Sequence, residues 1–101
     1  LLPHVMGFNL IACLEKFVQV AQALGEKVEG LAPWDAAKRA KGTVFQLSSD
    51  IGIPLHLSEV GVKAERIGRV AEDAMQMKRA IGWNPRVVSQ DEIEKIYREA
   101  L

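Results

Sequence analysis

The run LIACLEKFVQVAQALG, residues 10–25, decides the fold class. Its apolar residues Leu10, Leu14, Phe17, Ala21 and Leu24 recur at alternating spacings of four and three. Glu15, Lys16, Gln19 and Gln22 fall between them. A period of about 3.6 residues puts the first set on one stripe and the second on the other side. The run therefore predicts an amphipathic helix over about residues 11–24. Asn9 is placed to cap its start. Gly25 is placed to stop it, because glycine enters the left-handed region without a steric penalty.

Toward the C-terminus the same period returns. Pro33 suits a first helical position, where its missing N–H costs nothing. Trp34, Ala37, Ala40, Val44, Leu47 and Ile51 mark an inward stripe, with Lys38, Arg39 and Lys41 on the other side. Gly42 weakens this helix by about 1 kcal/mol relative to Ala, which suggests close packing against a neighbour at that point. Gly52 and Pro54 end it. The connector GIPLHLSEVG, residues 52–61, carries Ile53, Leu55, Leu57 and Val60 and is expected to lie across the helices rather than in water. Residues 63–79 read as a third helix with Ile67, Val70, Ala71, Ala74 and Met75 inward. IGWNPRVV, residues 81–88, is a turn-rich break. Ser89 and Glu92 then form a Ser-x-x-Glu capping box, and Ile93, Ile96, Tyr97 and Ala100 give the last helix its apolar face. No strand pattern, internal repeat or low-complexity tract appears. The expected architecture is all-α, a bundle-like array of about four to five helices over residues 1–101.

Toward the N-terminus lies LLPHVMGFN, residues 1–9, apolar almost all round. Such a stretch is expected to be helical and buried. It reads as a cut edge, packed on the later helices or on a second copy of the chain.

Composition excludes several classes. Thirteen basic and thirteen acidic residues leave a net charge of zero. Nucleic acid and anionic membranes are recognised through excess positive charge, so neither is an expected partner. No apolar run approaches the roughly 20 residues of a membrane span. Cys13 is the single cysteine and forms no internal disulfide. It reads as a small buried hydrophobe in a reducing, cytoplasmic protein. Residues 57–70 have the outline of a helix-turn-helix, but Pro54 leaves little room for its first helix and the chain lacks basic excess.

The search for chemistry returns little. There is no glycine-rich phosphate loop. His4 and His56 lie on different elements and lack the spacing by which one helix face holds a metal. The acidic residues from Glu65 to Glu94 alternate with Lys and Arg, as on a solvated face. No catalytic, cofactor-binding or metal-binding residue is expected within the chain. Asn84-Pro85 breaks the chain out of helix, and Arg86 is free to tie helix ends or carboxylates.

Three groups of residues nevertheless form a pattern. LLPHVM with Phe8 and Asn9 resembles the segment that follows the metal site in iron-containing (group III) alcohol dehydrogenases. DIGIP, residues 50–54, with LSEVGV, residues 57–62, is similar to that family's link between late helices. Asn84-Pro85-Arg86 followed by SQDEI, residues 89–93, and Ile96-Tyr97 resembles its C-terminal signature. The resemblance implies the late part of a helical domain of the dehydroquinate-synthase-like kind. It implies an intact enzyme that interconverts alcohols with aldehydes or ketones using NAD(P) and iron or another divalent metal. The family's metal ligands, an Asp and three His, lie upstream of these motifs, and His4 is not among them. The segment alone would then be silent, binding neither cofactor, with the missing N-terminal part of the enzyme as its partner. Ala80, Ile81 and Trp83 would form an apolar wall of the substrate pocket. A stand-alone dimerisation module is the other reading open to such a helical chain.

Overall fold

The computed structural model describes all 101 residues. Six α-helices follow one another: α1 (Leu2–Asn9), α2 (Leu14–Ala23), α3 (Pro33–Asp50), α4 (Ile67–Met75), α5 (Lys78–Trp83) and α6 (Gln90–Glu99). Short 3-10 turns at Leu10–Ala12, Leu57–Val60 and Ala64–Arg66 complete the regular structure, and no strand is present.

Helices α2 and α3 pack along one another as a hairpin. Ala21 on α2 meets Ala40 on α3 at this contact, and Ala36 and Ala37 on α3 are buried as well. Alanines at a helix contact let the two backbones approach closely. Met6 of α1 drops onto Ala21 and Ala40, and Phe17, Val28 and Val44 pack around them. Trp34, Leu47 and Ile51, expected to face inward, are 45%, 50% and 63% exposed. The buried stripe of α3 runs instead through Ala36, Ala37 and Ala40, and Trp34 borders a cleft shared with His4, Phe8 and Leu10.

Both ends of the hairpin are closed by glycine. Gly25 and Gly52 have φ of 89° and 79°. The amides three residues beyond each helix return to it, Glu26 to the Ala21 carbonyl and Ile53 to the Ser48 carbonyl. This six-to-one bond is the one that a left-handed glycine after the C-cap permits.

Elsewhere the chain departs from the expected elements. The helix predicted over 11–24 begins at Leu14, because Cys13 (φ −149°, ψ 51°) breaks it from the turn before. Asn9 does not cap it; its side chain is used elsewhere. Cys13 is only half-buried, its thiol donating to the Asn9 carbonyl at 3.4 Å. The helix predicted over 63–79 is interrupted. After α4 the amides of Gln76 and Met77 reach back only three residues, to Asp73 and Ala74, and Met77 leaves the helical region at ψ 58°. The chain restarts as α5, which makes six helices rather than four to five. Gly42 has open space around it, so close packing does not explain it. The close approach is at Gly7, where a Cβ would stand 3.0 Å from Lys41 Nζ.

The connector lies across the end of α6 by polar contacts as much as apolar ones. Leu57 N–H donates to the Ala100 carbonyl at 2.8 Å, and the Ser58 hydroxyl donates to the Leu101 carbonyl at 2.7 Å. Leu55 and Leu57 are half-buried, while Ile53 and Val60 are exposed. The last helix starts as its sequence demands, with Ser89 accepting from Glu92 N–H and the Glu92 carboxylate accepting from Ser89 N–H. Residues 1–9 are helical as expected, but only Pro3, Met6 and Asn9 are buried, and Leu1 and Leu2 are exposed.

The whole measures 43 × 30 × 19 Å, with a radius of gyration of 14.6 Å. A compact domain of this length has about 13 Å. Only 12 of the 101 residues are buried, so much of the apolar content lies on a surface that the chain itself does not cover.

Candidate functional site

The most apolar cavity lies where α1, α4, α5 and α6 meet. It has a volume of about 190 Å³, and ten of its eleven lining residues are hydrophobic. Val5 and Phe8 of α1 form one wall, with Leu1 beside them. Ile93, Ile96 and Tyr97 of α6 form the floor, with Ala74 of α4. Ala80 and Ile81 of α5 also line it, with Asn84 and Val88 after them. The α6 contribution follows from its period, since Ile93, Ile96 and Tyr97 share one stripe.

Asn84 is the one lining residue that is not hydrophobic, and its amide is fully engaged. Its Oδ1 accepts from Asn9 Nδ2 at 2.8 Å. Its Nδ2 donates to Asn9 Oδ1 at 2.9 Å and to the Arg86 carbonyl at 2.6 Å. Asn9 is 6% exposed, so this reciprocal bond satisfies a buried amide. Arg86 continues the network. Its Nη1 donates to the Phe8 carbonyl at 2.7 Å, its guanidinium stacks 4.0 Å from the centre of the Phe8 ring, and its Nη2 lies 3.6 Å from the Glu92 carboxylate. A cation at the last turn of α1 meets carbonyls that have no helical partner. Arg86 thus ties a helix end to a carboxylate, the role its position after Asn84-Pro85 suggested.

The three residues expected at an apolar wall are placed differently from one another. Ala80 and Ile81 line the cavity. Trp83 does not; it is 73% exposed, with the Arg79 guanidinium 4.8 Å from its ring centre. The opposite wall, Val5 and Phe8, and the Asn9 partner were not picked out from sequence. One signal for Asn9 was available: a lone amide inside an apolar run needs a partner when buried.

The two histidines do not come together in a site. His56 is exposed, and its backbone N–H donates to the Glu59 carboxylate at 2.8 Å. His4 lies in a second cleft with Lys41 and Glu99. Its Nδ1 is enclosed and has no hydrogen-bond partner. Burial holds its pKa below the ordinary 6.5, aided by Lys41 and His56 and opposed by Glu99. Nowhere do three His, Cys, Asp or Glu side chains converge as a metal site requires. The residues of this chain therefore do not fit an iron centre of their own. No helix is long and apolar enough to cross a membrane.

Residues 1–101 match the profile described as Fe-containing alcohol dehydrogenase family, C-terminal. The chain belongs to this family. The 1,3-propanediol dehydrogenase of Klebsiella pneumoniae is 45% identical over 100 residues, and lactaldehyde reductase of Escherichia coli is 40% identical over the same length. Each match covers 99% of this chain and 26% of the relative. A crystal structure of 1,3-propanediol oxidoreductase superposes with a TM-score of 0.94 at 44% identity, again over 99% of this chain and 26% of that one. An alcohol dehydrogenase from Oenococcus oeni superposes equally well, at 39% identity. The chain thus spans about a quarter of the length of the iron-type dehydrogenases it matches, and it corresponds to their C-terminal helical part.

Proposed function

We propose that this chain acts as the C-terminal helical part of an intact, cytoplasmic alcohol dehydrogenase that interconverts alcohols with aldehydes or ketones. The observation that carries the reading is the fit of the whole chain onto a quarter of 1,3-propanediol oxidoreductase at a TM-score of 0.94. NAD(P) supplies the hydride chemistry and a divalent metal, usually iron, the Lewis acid. Residues outside this chain hold both. The contribution of the chain is shape: Ala80 and Ile81 supply part of the apolar wall against the substrate, and Trp83 joins that wall once the rest of the enzyme covers it. The thin burial supports the same reading. Leu2, Ile11, Trp83 and Val87 are 62%, 68%, 73% and 95% exposed, which fits a surface covered by the larger part of an enzyme.

The test is a chimera in which this chain replaces the C-terminal quarter of the Klebsiella enzyme. Metal-dependent turnover of NAD(P)H with aldehydes is expected from it, and none from the 101 residues alone. A folded, metal-loaded chimera without turnover would refute the reading. The exposed apolar residues also favour a second one, a homodimer sealed by α1. Sedimentation of the isolated chain decides that: a stable dimer near 22 kDa, twice the 11.2 kDa of one chain, supports it, and a monomer removes it.

A further inference from the structure

Around this cavity α6 packs on both α1 and α4. Here Val5 and Phe8 of α1 and Ala80 and Ile81 of α5 line the same cavity. Helix α5 contains no buried residue and is therefore not held by a core of its own. What joins its end to α1 is polar: the reciprocal Asn9–Asn84 bonds at 2.8 and 2.9 Å. The remaining Asn84 N–H reaches the Arg86 carbonyl, and Arg86 returns to Phe8 on the first wall. Pro85 between them has a fixed φ and adds stiffness. Each amide gives a donor and an acceptor to the other, and no other residue pair of this size does the same.

We propose that the Asn9–Asn84 pair is a positioning element that sets the width of the substrate pocket between the α1 wall and the Ala80–Ile81 wall. The inference rests on the reading that Ala80 and Ile81 face substrate. The pair touches no reacting atom. It acts by holding α5 at a distance that suits one size of alcohol. An aspartate at position 9 would set a carboxylate oxygen against Asn84 Oδ1. Turning the Asn84 amide would not relieve this, because its oxygen would then face the other carboxylate oxygen and the Arg86 carbonyl as well.

The test uses the intact enzyme, completed by its own upstream sequence or as the Klebsiella chimera. Discrimination is read as the ratio of kcat/KM for a short primary alcohol to that for one several methylenes longer. Asn84→Ala and Asn9→Asp should each move this ratio by roughly tenfold, the scale that one methylene commands in an apolar pocket. The double variant should move it no further than one single variant does, because both break one bond pair. Thr43→Ala, which removes a hydroxyl bonded to Glu26 at 2.7 Å in the distant hairpin, should lower Tm and leave the ratio unchanged. A merely structural Asn pair would behave like Thr43, with a lower Tm and an unmoved ratio, and that result overturns the proposal. Ala80→Leu separates the two claims. If it moves the ratio and the Asn variants do not, the positioning role fails while the wall assignment stands. If neither moves the ratio, both fail.

Discussion

The α2–α3 hairpin and the corner where α1 meets α4, α5 and α6 are built on opposite principles. In the hairpin, Ala21, Ala36, Ala37 and Ala40 are at most 3% exposed, and the helices touch through their smallest side chains. At the corner the helices stand apart around a cavity of about 190 Å³, and two amides and an arginine bridge them. Close contact of small residues leaves no room for a ligand and little freedom to shift. A polar bridge over an apolar gap keeps the gap open. The first region is closed by packing and the second is bridged by polar bonds.

That contrast can be broken most severely at Ile67. It is the largest fully buried side chain and belongs to the α4–α6 base beneath the corner. Ile67→Ala should cost about 2–5 kcal/mol in urea unfolding. A loss below about 1 kcal/mol would mean that the polar bridge alone holds the corner. One substitution made in both regions sharpens the comparison further. Ala40→Leu should destabilise by about 1–3 kcal/mol, since the hairpin has no space for the added methylenes. Ala74→Leu, at the cavity lining, should stabilise by about 0.5–2 kcal/mol through filling. Equal signs for the two would erase the distinction. Ser89→Ala removes the hydroxyl that accepts from Glu92 N–H at the start of α6 and should cost about 1 kcal/mol. Since Glu92 also faces Arg86, a much larger loss would show that this cap supports the bridge.

The smallest effect is in pH. The pKa of His4 in the fold is lowered by burial below its ordinary 6.5. Above that value the imidazole is neutral in both states and contributes no pH dependence. As pH falls through 6.5 the unfolded chain takes up a proton that the folded chain resists, so stability declines until the lowered folded value is passed. His4→Gln should flatten that decline. An unchanged slope between the two proteins would show that His4 titrates normally.

Much of the hairpin was legible in the sequence, because period, Pro33, Gly25 and Gly52 are local signals that the fold leaves intact. The Ser89–Glu92 box was legible for the same reason. The breaks at Cys13 and Met77 were not, since nothing in the apolar pattern changes there and packing decides the phase of each helix. Asn9 was misread as a cap because its true partner is 75 positions away. The corner was half legible. Ala80 and Ile81 were expected at an apolar wall because the family resemblance singles out the segment before Asn84, and they do line an apolar cavity, whereas Val5, Phe8 and Tyr97 enter it only through the mutual placement of α1 and α6. Trp83 shares that neighbourhood in sequence but not the lining, because the last turn of α5 carries it outward.

Helix α5 has one more consequence. With no buried residue and an irregular joint at Met77 before it, its backbone should be the easiest stretch for a protease to unwind. It begins with Lys78 and Arg79, both exposed, so trypsin should nick the native chain there first. The C-terminal piece would not fall away. Ala100 and Leu101 remain bonded to Leu57 and Ser58, and Arg86 remains bonded to Phe8. Digestion would therefore give two bands on a denaturing gel and one species by gel filtration.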